Sequence, residues 1–195
     1  MLDEAHSLGT LGATGRGLTE HAGVPVAEID LLMGTLSKAF ASCGGFIAGS
    51  RVLTDYLRHT TPGFVYSVGM PPASAAAALA AIGLLQREPC RVERLQHLSR
   101  FFHETAAARG LEVGGTVGTP VIPYLTGNAV EALTLSSALA NGGFIVPPVL
   151  PPAVPENGAR LRFFLTCEHR EDQIDAVLEA LASAIQGVPL ENPPG

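Results

Sequence analysis

The sequence of 195 residues has few cysteines and no long apolar run. Its three cysteines, Cys43, Cys90 and Cys167, are odd in number and widely spaced, so the sequence predicts neither a disulfide framework nor a zinc site. A reducing, cytoplasmic compartment is the expectation that follows. The longest apolar run, from Ala73 to Leu85, is too short to cross a membrane, which takes roughly 20 residues.

Positive charge is also scarce. Lysine and arginine together number 12 against 18 aspartates and glutamates, which gives a formal net charge of −6. A protein that binds a nucleic acid or an anionic membrane surface needs clustered positive charge, so we expect neither partner. No signal peptide is predicted, because Asp3, Glu4 and His6 interrupt any apolar start. Apolar residues make up 47% of the chain, so a packed core is expected rather than disorder.

The hydrophobic pattern alternates between strands and helices, which predicts an α/β fold. Residues 1–87 are predicted to be part of a larger domain with a mainly parallel sheet, residues 88–190 a smaller α/β domain, and residues 191–195 a tail. The strand before Asp3 has almost no length, as if the chain started inside a domain. The predicted helices span 51–60, 72–86 (as a tightly packed core helix), 91–109, 129–140 and a last one along 174–185. The predicted strands span 29–34, 44–49, 121–125, 144–146 and 160–166.

A single lysine lies in the segment GTLSKAFASCGGFIAGS. Lys38 is followed by Ala39, Phe40 and Ala41, and such apolar walls favour the neutral amine that a Schiff-base lysine needs in order to attack. Taken alone, the segment is equally typical of an ordinary exposed lysine.

An acid and a histidine stand three residues apart upstream, in the segment LDEAHSLGTLGATGRG. A carboxylate such as Asp3 can keep a pyridine nitrogen protonated, and His6 can hydrogen-bond a cofactor or accept a substrate proton. The alternative is a polar loop that only caps a helix. Together with Lys38, the two residues indicate a pyridoxal 5'-phosphate (PLP) enzyme.

Hydroxyl groups and arginines complete the candidate site. Thr35 and Ser37 lie near a glycine turn, and Ser67 precedes an alanine-rich helix, so all three are candidate phosphate ligands. Arg160 and Arg162 share one face of a predicted strand, where one of them could bind a substrate carboxylate. The alternative for the three hydroxyl residues is that they are ordinary turn residues. The alternative for the two arginines is that they lie on a solvated strand face. The remaining histidines show no metal-ligand spacing.

Several segments, in order along the chain, resemble the α-oxoamine synthase family of fold-type I PLP enzymes. They are DEAHSLGTLGATGRG, GTLSKAFASCGGFIAGS, YSVGMPPAS, PPAVPENGARLRFFLT and the last helix. The resemblance implies a PLP-dependent transferase that joins a small amino acid to an acyl-CoA (or an acyl carrier thioester), loses carbon dioxide and leaves an aminoketone. It also implies a homodimer.

The resemblance implies roles for individual residues. Lys38 corresponds to the lysine that holds the cofactor and moves the α-proton, Asp3 to the partner of the pyridine nitrogen, and His6 to the contact of the phenolic oxygen. Thr35 corresponds to a phosphate ligand, and Ser67 to the hydroxyl that reaches the phosphate of the neighbouring subunit.

Arg162 corresponds to the arginine that binds the amino-acid carboxylate. Elsewhere the sequence departs from the family pattern in three respects. The N-terminal half that carries a ring-stacking residue in family members is expected to be missing. Val68 stands where a threonine normally adds a phosphate contact, and Leu150 and Ala153 differ from biotin-pathway members in a way that disfavours a pimeloyl-type donor. An aminotransferase-like enzyme and a non-catalytic partner or remnant are the alternatives.

Overall fold

The computed structural model describes residues 1–187 and divides the chain into two compact units. Unit 1 comprises Met1–Glu93, and unit 2 begins at Arg94, so the boundary falls within one long helix. The predicted proline-rich tail after Val188, including residues 191–195, lies outside the described residues.

Among the described residues, unit 1 contains a three-stranded sheet, four complete α-helices and one short 3-10 helix, Val26–Glu28. The strand order is β1-β2-β3, with β1 and β2 parallel and β2 and β3 antiparallel, so this part of the sheet is mixed. The elements are β1 (Leu2–Asp3), α1 (Leu18–Ala22), β2 (Leu31–Thr35), β3 (Gly45–Gly49), α2 (Arg51–Thr60), α3 (Pro62–Val65) and α4 (Pro72–Arg87).

Local sequence explains the helices of unit 1. The Ser50 hydroxyl accepts a hydrogen bond from the Leu53 N–H and so caps α2, which matches the predicted span. Helix α4 begins at Pro72, where the fixed φ of proline suits a first turn, and continues through alanines. The sequence does not predict the short helix α3, because a proline such as Pro62 is typical of the end of a helix.

The core of unit 1 is thin. Among residues 1–187, five buried apolar side chains belong to unit 1 and seventeen to unit 2. The prediction that the alanine-rich helix is tightly packed is wrong for the described structure, in which Ala78 is its one buried residue and Leu79 is 71% exposed. The physical reason is that only a few loop side chains of unit 1 cover this helix, on one face.

Unit 2 is a three-stranded antiparallel sheet packed against helices, with strand order β4-β6-β5. Its core contains completely buried side chains from both layers, such as Phe102, Ile122 and Leu178. Unit 2 is a small α/β arrangement, as the sequence predicts, and its strands are antiparallel. The elements are α5 (Cys90–Ala108), β4 (Val121–Leu125), α6 (Ala129–Asn141), β5 (Pro148–Val149), β6 (Arg160–Phe164) and α7 (Glu171–Ile185).

One predicted strand is wrong. The apolar residues 144–146 were expected to pair, but the pairing residues are Pro148 and Val149, opposite Leu161 and Arg160. Strand β5 is an edge strand, where proline loses no ladder hydrogen bond. Among the described helices, none combines the length and the apolar character that a bilayer crossing demands.

Candidate active site

The ends of two neighbouring parallel strands define the candidate site. Asp3, the last residue of β1, lies opposite Met33 of β2, and Thr35 ends β2 two residues later. Side chains two residues apart on a strand share a face, so Asp3 and Thr35 lie on the same face at the same edge of the sheet. The carboxyl ends of parallel strands are where ligands bind in α/β proteins.

The Asp3 carboxylate is exposed but held in place. Its Oδ1 accepts a hydrogen bond of 2.8 Å from the Ala5 N–H. His6, three residues after Asp3, is also exposed. The end of β1 and the loop that follows it therefore expose both predicted side chains to solvent.

The loop that carries Lys38 is closed by its own backbone. The Leu36 N–H donates to the Gly44 carbonyl and the Ser42 N–H to the Leu36 carbonyl, both at 2.9 Å. The Ala41 N–H donates to the Lys38 carbonyl at 3.0 Å. Lys38 thus lies at the tip of a tight loop, and its side chain is exposed.

Buried side chains flank Lys38 two residues away on either side. Leu36 and Phe40 are each 6% exposed and pack with Ala78 of α4. This anchoring fixes the base of the loop and leaves the amine between the anchors free to face a ligand.

A pair of hydroxyl groups lies beside the lysine. Thr35 Oγ1 and Ser37 Oγ are 2.8 Å apart, and the Ser37 N–H donates to Thr35 Oγ1 at 3.3 Å. Two hydroxyls next to backbone N–H groups at the end of a strand form a donor set of the kind that binds phosphate.

The loop after β1 lies against the lysine loop. Gly9 has φ +79°, and a Cβ added to it would lie 2.5 Å from the Ala39 Cβ. Only glycine permits both this conformation and this close approach. The loops that carry His6 and Lys38 are therefore neighbours.

Sequence reasoning missed the role of Glu4. Its side chain is completely buried and accepts hydrogen bonds from the Leu18 and Thr19 N–H groups and from the Ser7 hydroxyl. The acidic segment does cap a helix, as the alternative interpretation predicts, but the residue that caps α1 is Glu4 and not Asp3. An acid directly after the short strand was the signal that could have revealed it.

Glu20 organises the glycine-rich part of the same loop. It accepts hydrogen bonds from the Thr14 hydroxyl and from the Thr14 and Arg16 N–H groups at 2.8 to 3.1 Å. Burial by itself would raise the pKa of Glu20, but these hydrogen bonds outweigh it, so the pKa is lowered from its ordinary value. The loop is closed further by the Gly9 N–H, which donates to the Gly15 carbonyl at 2.7 Å.

Of the other two predicted site residues, Ser67 belongs to unit 1 and Arg162 to unit 2. Ser67 is in an exposed turn of unit 1, where its hydroxyl donates to the Phe64 carbonyl at 3.2 Å. In unit 2 the half-buried Arg162 lies over the Phe164 ring, with 4.9 Å between Cζ and the ring centroid. Arg160 Nε donates to the Gly158 carbonyl at 2.8 Å, so of the two arginines Arg160 is the one already engaged by the backbone.

An apolar cavity of about 490 Å³ also lies in unit 1. Its walls include Leu8, Phe40, Phe46, Ile82 and Leu85. Neither Asp3 nor Lys38 lines it, so this cavity is separate from the strand-edge group.

Lys38 is the only lysine among the 195 residues, and every other member of the 12 lysines and arginines is an arginine. Any reagent specific for lysine side chains therefore reports on one position.

Comparison with known proteins assigns the family. The model for class I and II aminotransferases matches residues 1–181. The chain belongs to this family. An 8-amino-7-oxononanoate synthase from Ectopseudomonas mendocina (strain ymp) is 43% identical over 182 residues, which cover 93% of this chain and 46% of that protein. The chain thus spans about half the length of the curated relatives it matches.

Solved structures of family members share the fold. The 8-amino-7-oxononanoate synthase from Francisella tularensis superimposes with a TM-score of 0.84 at 29% identity, over 95% of this chain and 54% of that one. A structure of SPT with a PLP internal aldimine gives a TM-score of 0.85 at 30% identity, over 95% of this chain and 47% of that one. The predicted fold class, a fold-type I PLP-dependent transferase present in part, is confirmed.

The residues of unit 1 fit PLP by the chemistry of their donor groups. The strand edge offers an exposed carboxylate at Asp3, an exposed primary amine at Lys38 and the hydroxyl pair of Thr35 and Ser37. A carboxylate suits a pyridinium nitrogen, an amine suits an aldehyde, and hydroxyls suit a phosphate.

Proposed function

We propose that this chain carries part of the active site of an α-oxoamine synthase, which condenses a small amino acid with an acyl thioester and releases carbon dioxide. The observation that carries the proposal is the shared strand edge: Asp3 and Thr35 on one face, with the lysine loop directly after Thr35. The names of the relatives, 8-amino-7-oxononanoate synthases at 42–43% identity, support the same class.

The cofactor in this proposal is PLP, which supplies an aldehyde for amines and an electron-withdrawing ring for the α-carbon of the substrate. Asp3 would hold a proton at the pyridine nitrogen, and the hydroxyls of Thr35 and Ser37 would bind the phosphate. Lys38 would bind the aldehyde through Nζ and later move the α-proton, and His6 would donate a hydrogen bond to the phenolic oxygen.

Two further residues, Ser67 and Arg162, belong to the proposal. Ser67 lies in an exposed turn, which suits a hydroxyl that serves the neighbouring subunit of a homodimer. Arg162 would bind the amino-acid carboxylate, and it is the better candidate of the pair because Arg160 Nε is engaged by Gly158. A cytoplasmic location and the division into a cofactor domain of residues 1–87 and a smaller domain of residues 88–190 stay predictions. The expectation that Leu150 and Ala153 disfavour a pimeloyl-type acyl donor also stays a prediction.

The sole lysine makes a direct test possible. The chain is incubated with PLP, reduced with borohydride, digested and analysed by mass spectrometry. We expect the adduct on the peptide that contains Lys38, since the only competing primary amine is the chain N-terminus. The matched control is Lys38→Arg, which keeps the positive charge and removes the reactive amine.

The outcomes distinguish the candidate functions. No adduct, or equal adduct in Lys38→Arg, would contradict the proposal and favour a non-catalytic partner or remnant. A labelled chain is then supplied with a polypeptide equivalent to the unmatched half of its relatives, an amino acid and an acyl-CoA. Release of carbon dioxide together with free CoA thiol supports the synthase, whereas amino transfer to a keto acid without carbon dioxide supports an aminotransferase.

A further inference from the structure

Ala41 has an unusual backbone conformation three residues after Lys38. Its φ is +46°, and among the residues described it is the one non-glycine with a positive φ. The left-handed region brings Cβ too close to the following carbonyl, so a residue with a side chain occupies it only when the surrounding structure requires it.

Ser42 provides such a requirement. Its hydroxyl donates a hydrogen bond of 2.6 Å to the Ser74 carbonyl, in the first turn of α4 and 32 residues further along the chain. Its N–H donates to the Leu36 carbonyl at 2.9 Å. Ser42 therefore joins the closed loop to the helix, directly after the strained residue.

The buried anchors do not replace this bond. Leu36 and Phe40 attach the loop to α4 through apolar contact, which is not directional. The φ of Ala41 sets the direction of the backbone between Phe40 and Ser42. The hydrogen bond from Ser42 to Ser74 is directional, so it can hold that direction. Without it, Ala41 can relax to a right-handed conformation and turn the loop that carries Lys38.

We propose that Ser42 is a positioning residue for Lys38, given the cofactor role proposed above for that lysine. The bond from Ser42 to Ser74 holds Ala41 in its left-handed conformation, and this conformation sets the direction from which the Lys38 amine meets an aldehyde ligand. Ser42 itself touches neither ligand nor reacting atoms.

The test compares four variants of the full chain with the wild type. Ser42→Ala removes the hydroxyl, and Ser42→Thr restores a donor. The double variant Ala41→Gly with Ser42→Ala adds a residue that adopts positive φ without strain, so the bond is no longer needed. The matched control is Ser136→Ala in unit 2, because the Ser136 hydroxyl donates a bond of the same kind, 2.7 Å long, to the Val146 carbonyl and joins no part of the lysine loop.

Two quantities are measured for each protein: the rate at which PLP and borohydride trap the sole lysine, and the amide hydrogen exchange of residues 36–44. In Ser42→Ala we expect trapping to slow about fivefold and loop exchange to accelerate about fivefold, the factor that one ordinary hydrogen bond allows. Ser42→Thr and the double variant should return both quantities towards the wild type. Ser136→Ala should change neither.

The proposal is overturned if Ser42→Ala leaves loop exchange unchanged, or if Ser136→Ala slows trapping as much as Ser42→Ala does. The failure of the proposed function has a different signature, namely a wild-type chain whose lysine is not trapped. Loop exchange still decides the role of Ser42 in that case, because it requires no cofactor.

Discussion

The carboxylate of Glu4 accepts a hydrogen bond of 2.7 Å from the Leu18 N–H, which lies fourteen residues further along the chain. A second bond of 3.2 Å comes from the Thr19 N–H, so one buried acid satisfies two free N–H groups at the start of α1. Gly17 makes this approach possible, since a Cβ there would lie 2.5 Å from Glu4 Oε2. The loop between β1 and α1 is thus folded around Glu4.

We expect Glu4→Gln to destabilise unit 1 by about 1–3 kcal/mol, the usual effect of a broken buried hydrogen bond to a charged group. The amide of glutamine has one acceptor oxygen, and its NH₂ group would face a backbone donor. Amide exchange of β2 in increasing urea measures the loss. The control is Glu28→Gln, an exposed acid of the same unit, which should change stability by less than about 0.5 kcal/mol. Equal effects of the two variants would contradict this account.

A second prediction concerns the contact between the two loops of the candidate site. Gly9→Ala places a methyl group against Ala39 at a positive φ, so it combines backbone strain with a steric clash. Gly23→Ala has the same kind of strain, at φ +67°, but open space around it. We expect Gly23→Ala to cost about 1 kcal/mol and Gly9→Ala about 1–3 kcal/mol more.

Chemical denaturation measures both losses, and trapping of the sole lysine by PLP and borohydride measures the effect on the site. Gly9→Ala should slow trapping, whereas Gly23→Ala should leave it unchanged. If the two variants were equally stable and equally reactive, the close packing of the loops would not matter to the site.

The sequence predicted those features of the fold that local patterns determine. Helix α2 has a serine cap and an apolar period, and its predicted span 51–60 matches the structure. Strand β6 alternates as predicted, with Leu161 and Phe163 buried and both arginines on the other face. Such elements depend on residues close in the chain, which is why periodicity reveals them.

Features that depend on distant partners could not be predicted. The bond from Ser42 to Ser74 joins residues 32 apart, and nothing in either segment indicates it. The burial of α4 depends on what else packs on it, so its alanine-rich composition was misleading. The same holds for His103, whose side chain is half-buried because of what packs around it.

His103 leads to a prediction about pH. Its Nε2 is buried and has no hydrogen-bond partner among the described residues. Burial lowers the pKa of His103 from its ordinary value of 6.5. As the pH falls below 6.5, the unfolded state takes up a proton at His103 before the folded state does. The contribution of His103 to the free energy of unfolding therefore decreases down to the lowered pKa and is constant well above 6.5.

We expect His103→Leu to remove this decrease between about pH 6.5 and the lowered pKa, an effect below about 1 kcal/mol because the ring is only partly buried. Urea unfolding of the full chain across about pH 5 to 8 is the measurement, with His59→Gln, which replaces an exposed histidine of α2, as the control. Glu171 of the same unit does not contribute between about pH 5 and 8, because the hydrogen bond from His97 lowers the pKa of its carboxyl group from 4.5. A His103→Leu protein with the wild-type pH profile would refute the assignment.

The last prediction concerns the charge at the strand edge. Asp3→Asn preserves the shape of the side chain and an oxygen for the Ala5 N–H, but removes the negative charge that would face a pyridinium nitrogen. A hydrogen bond to a charged group contributes about 1.5–3 kcal/mol, so PLP affinity should fall about ten- to a hundredfold. The control is Asp30→Asn, an exposed acid that precedes β2 at the opposite end of the strand. Titration with PLP, followed by absorbance, compares the three proteins, and an equal loss in both variants would mean that general charge, rather than a carboxylate at this edge, governs binding.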